Sequence, residues 1–221
     1  MTLPARNFKT GGANLVAFGC GDRVLVSRNV IVGVFATSLL SGCALLGGGT
    51  EPLDTYVLTA PIATPAAPSR SRTQILIGEP TALKALDGEN IVIKPSAGSI
   101  QYLKGAQWAD RLPRVVQSRL AEAFQSSGRF GGVGKPGEGL AIDYQVIVEI
   151  RSFEIRLDGG RADVELMVRI LNDRNGVVRA SRVFNATAPT SGSGNDAFVA
   201  ALDAAFARAA GEIVTWTAST I

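Results

Sequence analysis

The sequence predicts an α+β domain with a mostly antiparallel β-sheet and two amphipathic helices packed on one face. Three observations support this class: short β-branched runs come first, three alternating segments joined by tight turns follow, and two segments repeat apolar residues every three or four positions. The order is strands, helix, three-strand meander and helix. Such an order is typical of a sheet whose helices lie together on one side.

Two short runs rich in Ile and Val predict the first strands. They are Gln74 to Ile77 and Asn90 to Lys94, separated by connections that contain Gly, Pro and Asp. Ser99 to Leu103 is predicted as a third short strand. A helix follows, because apolar residues then recur at helical spacing: Leu112, Val115, Val116, Leu120, Ala123 and Phe124.

The ends of this first helix are also predicted. Asp110 is expected as the N-cap, Pro113 fits the first turn, and Gly128 fits the C-terminal stop. The next segment, Arg129 to Gly139, contains five glycines and a proline, and is predicted to be a loop.

The clearest strand signal lies between residues 142 and 157. Apolar residues occupy even positions from Ile142 to Ile150 but odd positions from Phe153 onward. A regular strand keeps one face apolar throughout, so the change of parity predicts a β-bulge near Arg151 and Ser152.

Two further strands complete the predicted meander. Asp158-Gly159-Gly160 forms a turn, and the alternating segment Ala162 to Ile170 is an antiparallel partner with one solvated face. Asn172 to Gly176 makes the next hairpin turn and leads into Val177 to Thr187. Short turns between consecutive strands favour antiparallel neighbours.

The closing segment predicts a second amphipathic helix, capped by Ser193 or Asn195. Its apolar positions are Phe198, Leu202, Ala205, Phe206, Ala209, Ile213 and Trp216. A small-residue face allows close approach to the sheet, and it is expected to contain Ala200, Ala201, Ala204 and Ala205.

Composition excludes several kinds of chemistry. Histidine is absent from the chain, so His-dependent triads and HExxH metal sites are excluded. No metal site or cofactor is predicted, and no residue is assigned as catalytic. Asp158, Asp163 and Glu165 are expected on a solvated strand face rather than as paired catalytic carboxylates. The chain is therefore predicted not to be an enzyme.

The N-terminal region has the pattern of an export signal. Arg23 and Arg28 precede the apolar run Val30 to Leu40, and Leu40-Ser41-Gly42-Cys43 places small residues before a cleavage point. An uncleaved span over Val24 to Leu46 is the weaker alternative. Its uninterrupted apolar core has 11 residues, against the roughly 20 that a spanning helix needs.

Three segments follow from this pattern: a signal peptide at 1–42, a flexible tether at 43–72, and a single domain at 73–221. Translation could also start downstream of Met1, at Val24 or Val26. Removing 1–42 takes four of the 22 basic residues and one of the 19 acidic ones, which leaves 18 of each. A net charge near zero gives no indication of a nucleic-acid partner.

Two aromatic residues stand out before the first helix. Trp108 lies at its N-terminal side, where a large aromatic either seals the helix against the core or contributes to a binding surface. Tyr102 lies nearby. Both are candidates for a partner surface, and for Trp108 the core remains the favoured alternative.

Five segments together resemble the ABC-type transport auxiliary lipoproteins, which include the paraquat-inducible protein C-like lipoproteins. They are Leu40-Ser41-Gly42-Cys43, Tyr56-Val57-Leu58, Gln107 to Pro113, Gln125 to Phe130, and the final helix Phe198 to Ile213. The resemblance covers essentially the whole chain after Cys43. Its most specific part is the Trp-Ala-Asp and Leu-Pro stretch, followed by a helix that ends in Ser-Gly-Arg-Phe.

The resemblance implies cleavage between Gly42 and Cys43, with palmitate among the acyl chains on Cys43. It implies a periplasm-facing lipoprotein that works with an ABC permease and an MCE-type protein in lipid transport, with phospholipid as a candidate ligand. Ala44 and Leu45 lack the aspartate of inner-membrane retention signals, so the outer membrane is expected. The alternative is a pilotin-like lipoprotein that assembles outer-membrane complexes.

Overall fold

Nine strands and two helices make up the part of the chain that the computed structural model describes, residues 52–59, 62 and 72–221. They all lie in one compact unit, Glu51–Ile221. The predicted α+β class is confirmed. In chain order the elements are β1 (Asp54–Tyr56), β2 (Gln74–Ile77), β3 (Thr81–Ala82), β4 (Asn90–Lys94), β5 (Gln101–Trp108), α1 (Leu112–Ser126), β6 (Gly132–Gly134), β7 (Tyr144–Arg156), β8 (Arg161–Asn172), β9 (Val178–Pro189) and α2 (Asn195–Thr220).

The long strand β7 organises the sheet. On one side it pairs antiparallel with β8, which pairs antiparallel with β9. On its other side β2, β3 and β4 follow one another along β7, all parallel to it. β6 extends the sheet beyond β2, and β5 and β1 extend it beyond β4. The longest ladders are antiparallel, and the shorter parallel ladders make the sheet mixed.

The predicted meander is confirmed, including its irregularity. The β7–β8 register shifts between Ile150 and Ser152, where the change of apolar parity predicted a bulge. The extra residue lets Val148 and Phe153 face the same core although their positions have opposite parity. Without the bulge, one half of β7 would direct its apolar side chains into solvent.

Both helices cover one face of this sheet. Val148 of β7, Leu120 of α1 and Phe206 of α2 belong to one buried hydrophobic cluster. The rings of Phe153 and Phe206 lie 6.1 Å apart between centroids. Burying each side chain of this size contributes roughly 1.5–3 kcal/mol, so the packing of the helices on the sheet is the main source of stability.

The helix ends differ in part from the predictions. Pro113 occupies the first turn of α1, and Gly128, with φ of 63°, follows its last turn, as predicted. The predicted caps are wrong: Arg111 and Gly194 occupy the N-cap positions, and neither helix has a side-chain cap hydrogen bond. Asn195 instead donates its Nδ2 to the carbonyl of Lys104 at 3.1 Å, which fixes the start of α2 to β5.

Two of the four alanines predicted to face the sheet do not. Ala201 and Ala205 are buried, whereas Ala200 and Ala204 are exposed. Ala209, four residues after Ala205, is also buried and continues the same face of the helix. Close approach of α2 to the sheet therefore involves Ala201, Ala205 and Ala209.

The glycine-rich segment 129–139 contains a strand rather than only a loop. Its residues 132–134 form β6, which pairs parallel with β2. A Cβ on Gly131 would lie 2.8 Å from the backbone of Arg72, so this backbone approach requires glycine. The composition of the segment reflects close packing of two backbones.

Candidate functional site

The segment from Leu53 to Thr59, here called the arm, is part of the folded body. β1 pairs parallel with β5, and the Ala109 amide donates to the carbonyl of Tyr56 at 2.8 Å. Leu58 is only 3% exposed. The sequence predicted this segment within the flexible tether at 43–72, but the arm belongs to the folded body, which therefore begins before residue 73.

Two carboxylates of α2 hold the arm. The Tyr56 hydroxyl donates to Asp196 Oδ1 at 2.6 Å. The Thr59 amide and hydroxyl both donate to Oδ2 of the buried Asp203, at 2.8 and 3.1 Å. The hydrogen bond to Asp196, together with burial, raises the pKa of Tyr56 to about 12. The arm is therefore bound to the closing helix by side chains that are far away in sequence.

The segment Trp108 to Pro113, the most specific part of the resemblance, is a structural junction. Trp108 is 1% exposed, and its ring packs edge-on against Phe153 with centroids 5.8 Å apart. Its amide donates to the carbonyl of Glu89 at 2.7 Å, and the Leu112 amide donates to that of Gly88 at 2.9 Å. The prediction that Trp108 contributes to a partner surface is therefore wrong, because the core encloses its side chain.

Arg111 completes this junction on the outside. It pairs with Glu79 at 3.0 Å and with Asp87, two carboxylates that precede β4. The pKa of Arg111 is raised, chiefly by its hydrogen bond to Asp87. Since the pair is partly exposed, it positions the start of α1 more than it adds stability.

A groove lies where the arm meets α1, and we call it the arm groove. Its volume is about 250 Å³. Small-molecule sites are generally larger, at ~300–1,000 Å³, so the arm groove has room for one or two apolar side chains of a partner. It is lined by Val57, Leu58, Asp110, Arg114, Val115, Ser118 and Arg119.

A second, polar cleft of about 480 Å³ lies at the N-terminal ends of β2 and β7. Asp143 accepts the Gln74 amide at 2.9 Å and the Arg174 guanidinium at 2.8 Å. These bonds, the backbone one first, lower the pKa of Asp143. The cleft is lined by Arg72, Thr73, Asp143, Tyr144, Asn172 and Arg174. Asp143 here ties β2 to the hairpin after β8, which is a structural role.

The strand carboxylates form ion pairs, as expected of a solvated surface. Asp158 pairs with Arg156 at 2.9 Å, Asp163 with Arg161 at 2.7 Å, and Glu165 lies 3.8 Å from Arg151. Within residues 52–59, 62 and 72–221, no group of three or more acidic or cysteine side chains could hold a metal ion.

Tyr102 lies within the described residues, whereas Cys43 does not. Tyr102 is 48% exposed on β5 and is available to a partner. Cys43, Gly42, the export segment and the alternative start sites lie outside the described residues. None of the helices described is both long and apolar enough to cross a membrane.

The family model of the ABC-type transport auxiliary lipoprotein component matches residues 56–214. The chain belongs to this family. The match begins in the arm and ends in α2, so it includes the junction and both walls of the arm groove. The predicted resemblance is confirmed, and the family places the protein with the auxiliary lipoproteins of ABC transport systems, in the cell envelope.

The chain is also similar to individual proteins. An uncharacterized protein of Bradyrhizobium diazoefficiens is 34% identical over 185 residues, which cover 81% of this chain and 49% of that protein. The chain therefore spans about half the length of this relative. The crystal structure of protein XCC0632 from Xanthomonas campestris is 27% identical with a TM-score of 0.67, over 75% of this chain and 95% of that one. A second crystal structure, of an uncharacterized protein, shares the fold at 16% identity and a TM-score of 0.62, over 76% and 99% of the two chains.

Proposed function

We propose that this protein is a lipid-anchored, periplasm-facing auxiliary subunit of an ABC-type transport system. It acts by binding a partner rather than by catalysis. The partner is an MCE-type protein with its ABC permease, the cargo is lipid, and the anchor lies in the outer membrane. The observation that carries this proposal is the family match over 56–214, combined with the Leu-Ser-Gly-Cys motif that ends at Cys43.

The anchor is tested by the mass of the N-terminal proteolytic fragment from purified membranes. We expect a fragment that begins at Cys43 and carries acyl chains including palmitate, because several chains are needed for stable anchoring. Cys43→Ala should abolish this fragment. A wild-type fragment that begins upstream of Cys43, or an unmodified Cys43, would contradict the proposed anchor.

The arm groove is the surface we assign to the protein partner. Val57 is half exposed beside the buried Leu58 and Val115, so a partner's apolar side chain would find apolar neighbours there. Arg114 and the carboxylate of Asp110 at the rim offer polar contacts around that apolar centre. An apolar centre with a polar rim is the common composition of protein interfaces.

Two matched substitutions on α1 test the arm groove. Ser118 and Ser126 are both exposed, but only Ser118 lines the groove. Ser118→Trp should fill the groove and reduce co-purification of the MCE-type protein, whereas Ser126→Trp should leave it unchanged. If both variants keep their melting temperatures and retain the partner equally, the arm groove is not the partner surface.

A further inference from the structure

We propose that the β1–β5 edge of the sheet contacts the surface of the lipid bilayer that holds the anchor. The contact surface, here called the edge patch, consists of Leu53, Ile100 and Tyr102 together with Lys104. The inference rests on the lipidation of Cys43 proposed above, and adds to it an orientation of the folded body on the membrane.

Strand register places Leu53 and Tyr102 on the same face of the sheet. Tyr102 pairs with Val92, and Gln107 pairs with Asn90, two residues away on β4; the ladder register shifts between these two pairs, where β5 contains the positive-φ Gly105. Alternation along β5 is therefore interrupted, and Tyr102 does not share the face of Trp108. Residues two apart on a strand share a face, and so do directly paired residues. Gln107 in turn pairs with Thr55, and its Nε2 donates to the Thr55 hydroxyl at 3.3 Å. Leu53 lies two residues before Thr55 and therefore on that face too.

Leu53, Ile100 and Tyr102 are large hydrophobic residues that are nevertheless exposed. Leu53 is 48% exposed and Ile100, two residues before Tyr102, is 51% exposed. Lys104 is an exposed cation on the same strand. The face lies away from the helices, because Leu103 and Tyr56, the direct neighbours of Tyr102 and Thr55 along their strands, pack against the core.

Chain length limits the distance between Leu53 and the anchor at Cys43. Ten peptide units separate Cys43 from Leu53, and a fully extended chain covers at most ~3.3–3.6 Å per residue, or about 35 Å. The arm then fixes Leu53 to the body through β1 and the bonds to α2 described above. Leu53 is therefore the member of the edge patch nearest to the anchor along the chain, and β1 holds it beside β5, which carries the other members.

The chemistry of the edge patch suits a bilayer surface. Tyr has an apolar ring and a polar hydroxyl and is enriched at the level of lipid headgroups. Lys104 can direct its ammonium to anionic headgroups while its stem lies along apolar surface. Because the anchor already holds the protein at the membrane, a weak contact is sufficient at that effective concentration.

The test uses the lipidated protein reconstituted in phosphatidylethanolamine–phosphatidylglycerol vesicles. Single cysteines labelled with an environment-sensitive nitrobenzoxadiazole probe replace Leu53 or Tyr102, and Thr187→Cys is the matched control. Thr187 is exposed on β9, at the opposite edge of the sheet. We expect blue-shifted emission and several-fold stronger quenching by nitroxide-labelled lipid at 53 and 102 than at 187.

Three results would overturn the inference. If the protein stays on the vesicles but the probes at 53 and 102 respond to lipid nitroxide no more than the probe at 187, the edge patch faces water, while the anchor remains supported. If the two probes become shielded only when the MCE-type protein is added, the patch is a protein interface. If the protein leaves the vesicles altogether, the proposed anchor fails first.

Discussion

The two ends of β5 show how differently one strand can use its aromatic residues. At its C-terminal end, Trp108 is buried against Phe153 and lies where the arm, the start of β4 and α1 meet. Towards its N-terminal end, Tyr102 lies half exposed at the sheet edge. The family motif surrounds the buried end. The most specific sequence signal therefore reports the packing of the domain, and the exposed end is available for contacts with membrane or partner.

Trp108→Ala should give the largest effect. Removing a buried Trp costs about 3–5 kcal/mol, a large share of the ~5–15 kcal/mol that holds a domain folded. Tyr102→Ala should change the free energy of unfolding by no more than about 0.5 kcal/mol. Denaturant unfolding of both variants provides the measurement. Similar losses for the two would mean that both ends of β5 belong to the core.

Leu58→Ala should come next, at about 2–5 kcal/mol, because it leaves a cavity under the arm. Asp203→Asn should cost less, on the order of 1–3 kcal/mol, since it weakens the bonds from Thr59 and leaves buried donors poorly paired. Hydrogen exchange separates the two changes: Asp203→Asn should expose the amides of the arm before those of β7. Uniform loss of protection would show that the arm does not open on its own.

Asp143 should make the free energy of unfolding depend on pH in the acidic range. Its pKa lies below the ordinary value of 3.8 in the folded state, so its contribution is present above that value and is lost as pH falls through the folded pKa. Asp143→Asn should be less stable than wild type at neutral pH, and the difference should shrink below about pH 4. Melting temperatures at several pH values measure this. A difference that stays constant into acid would contradict the assignment.

Tyr56 should show the smallest effect, visible by spectroscopy rather than in stability. The bond to Asp196 raises its pKa to about 12, so its phenol ionises only at strongly alkaline pH. Any stability it contributes is present below its ordinary pKa and is lost as pH rises through the raised one. Asp196→Asn should bring its ultraviolet titration closer to that of an ordinary tyrosine. An unchanged titration would show that the arm lies elsewhere in solution.

Local patterns predicted the fold where side-chain alternation is strong. The parity change around Arg151 and Ser152 located the bulge, because alternate burial leaves a direct record in the sequence. β6 could not be predicted in this way, since glycines leave no pattern and its partner β2 lies more than 50 residues earlier. β5 also extends beyond Leu103, where the predicted strand ended. The alternation of its side chains is interrupted at Gly105, which has a positive φ.

The candidate site was less predictable for the same reason. Tyr56-Val57-Leu58 was predicted only as part of the family resemblance, because the carboxylates that hold the arm, Asp196 and Asp203, are about 140 residues away. Only the fold brings the arm, α1 and α2 together to form the arm groove. For Trp108, the residue type was compatible with both the core and an interface. Only the register of β5 in the folded sheet shows that its side chain lies in the core.

The central claim, an auxiliary subunit of an ABC transport system that works by binding, is tested most directly by quantitative co-purification. The lipidated protein, tagged at its C-terminus and extracted in mild detergent, should enrich an MCE-type protein and its permease over an untagged control. Deletion of the gene should then alter lipid distribution between the membranes. Repeated absence of these partners, with loss of an outer-membrane complex on deletion, would contradict the claim and favour an assembly lipoprotein.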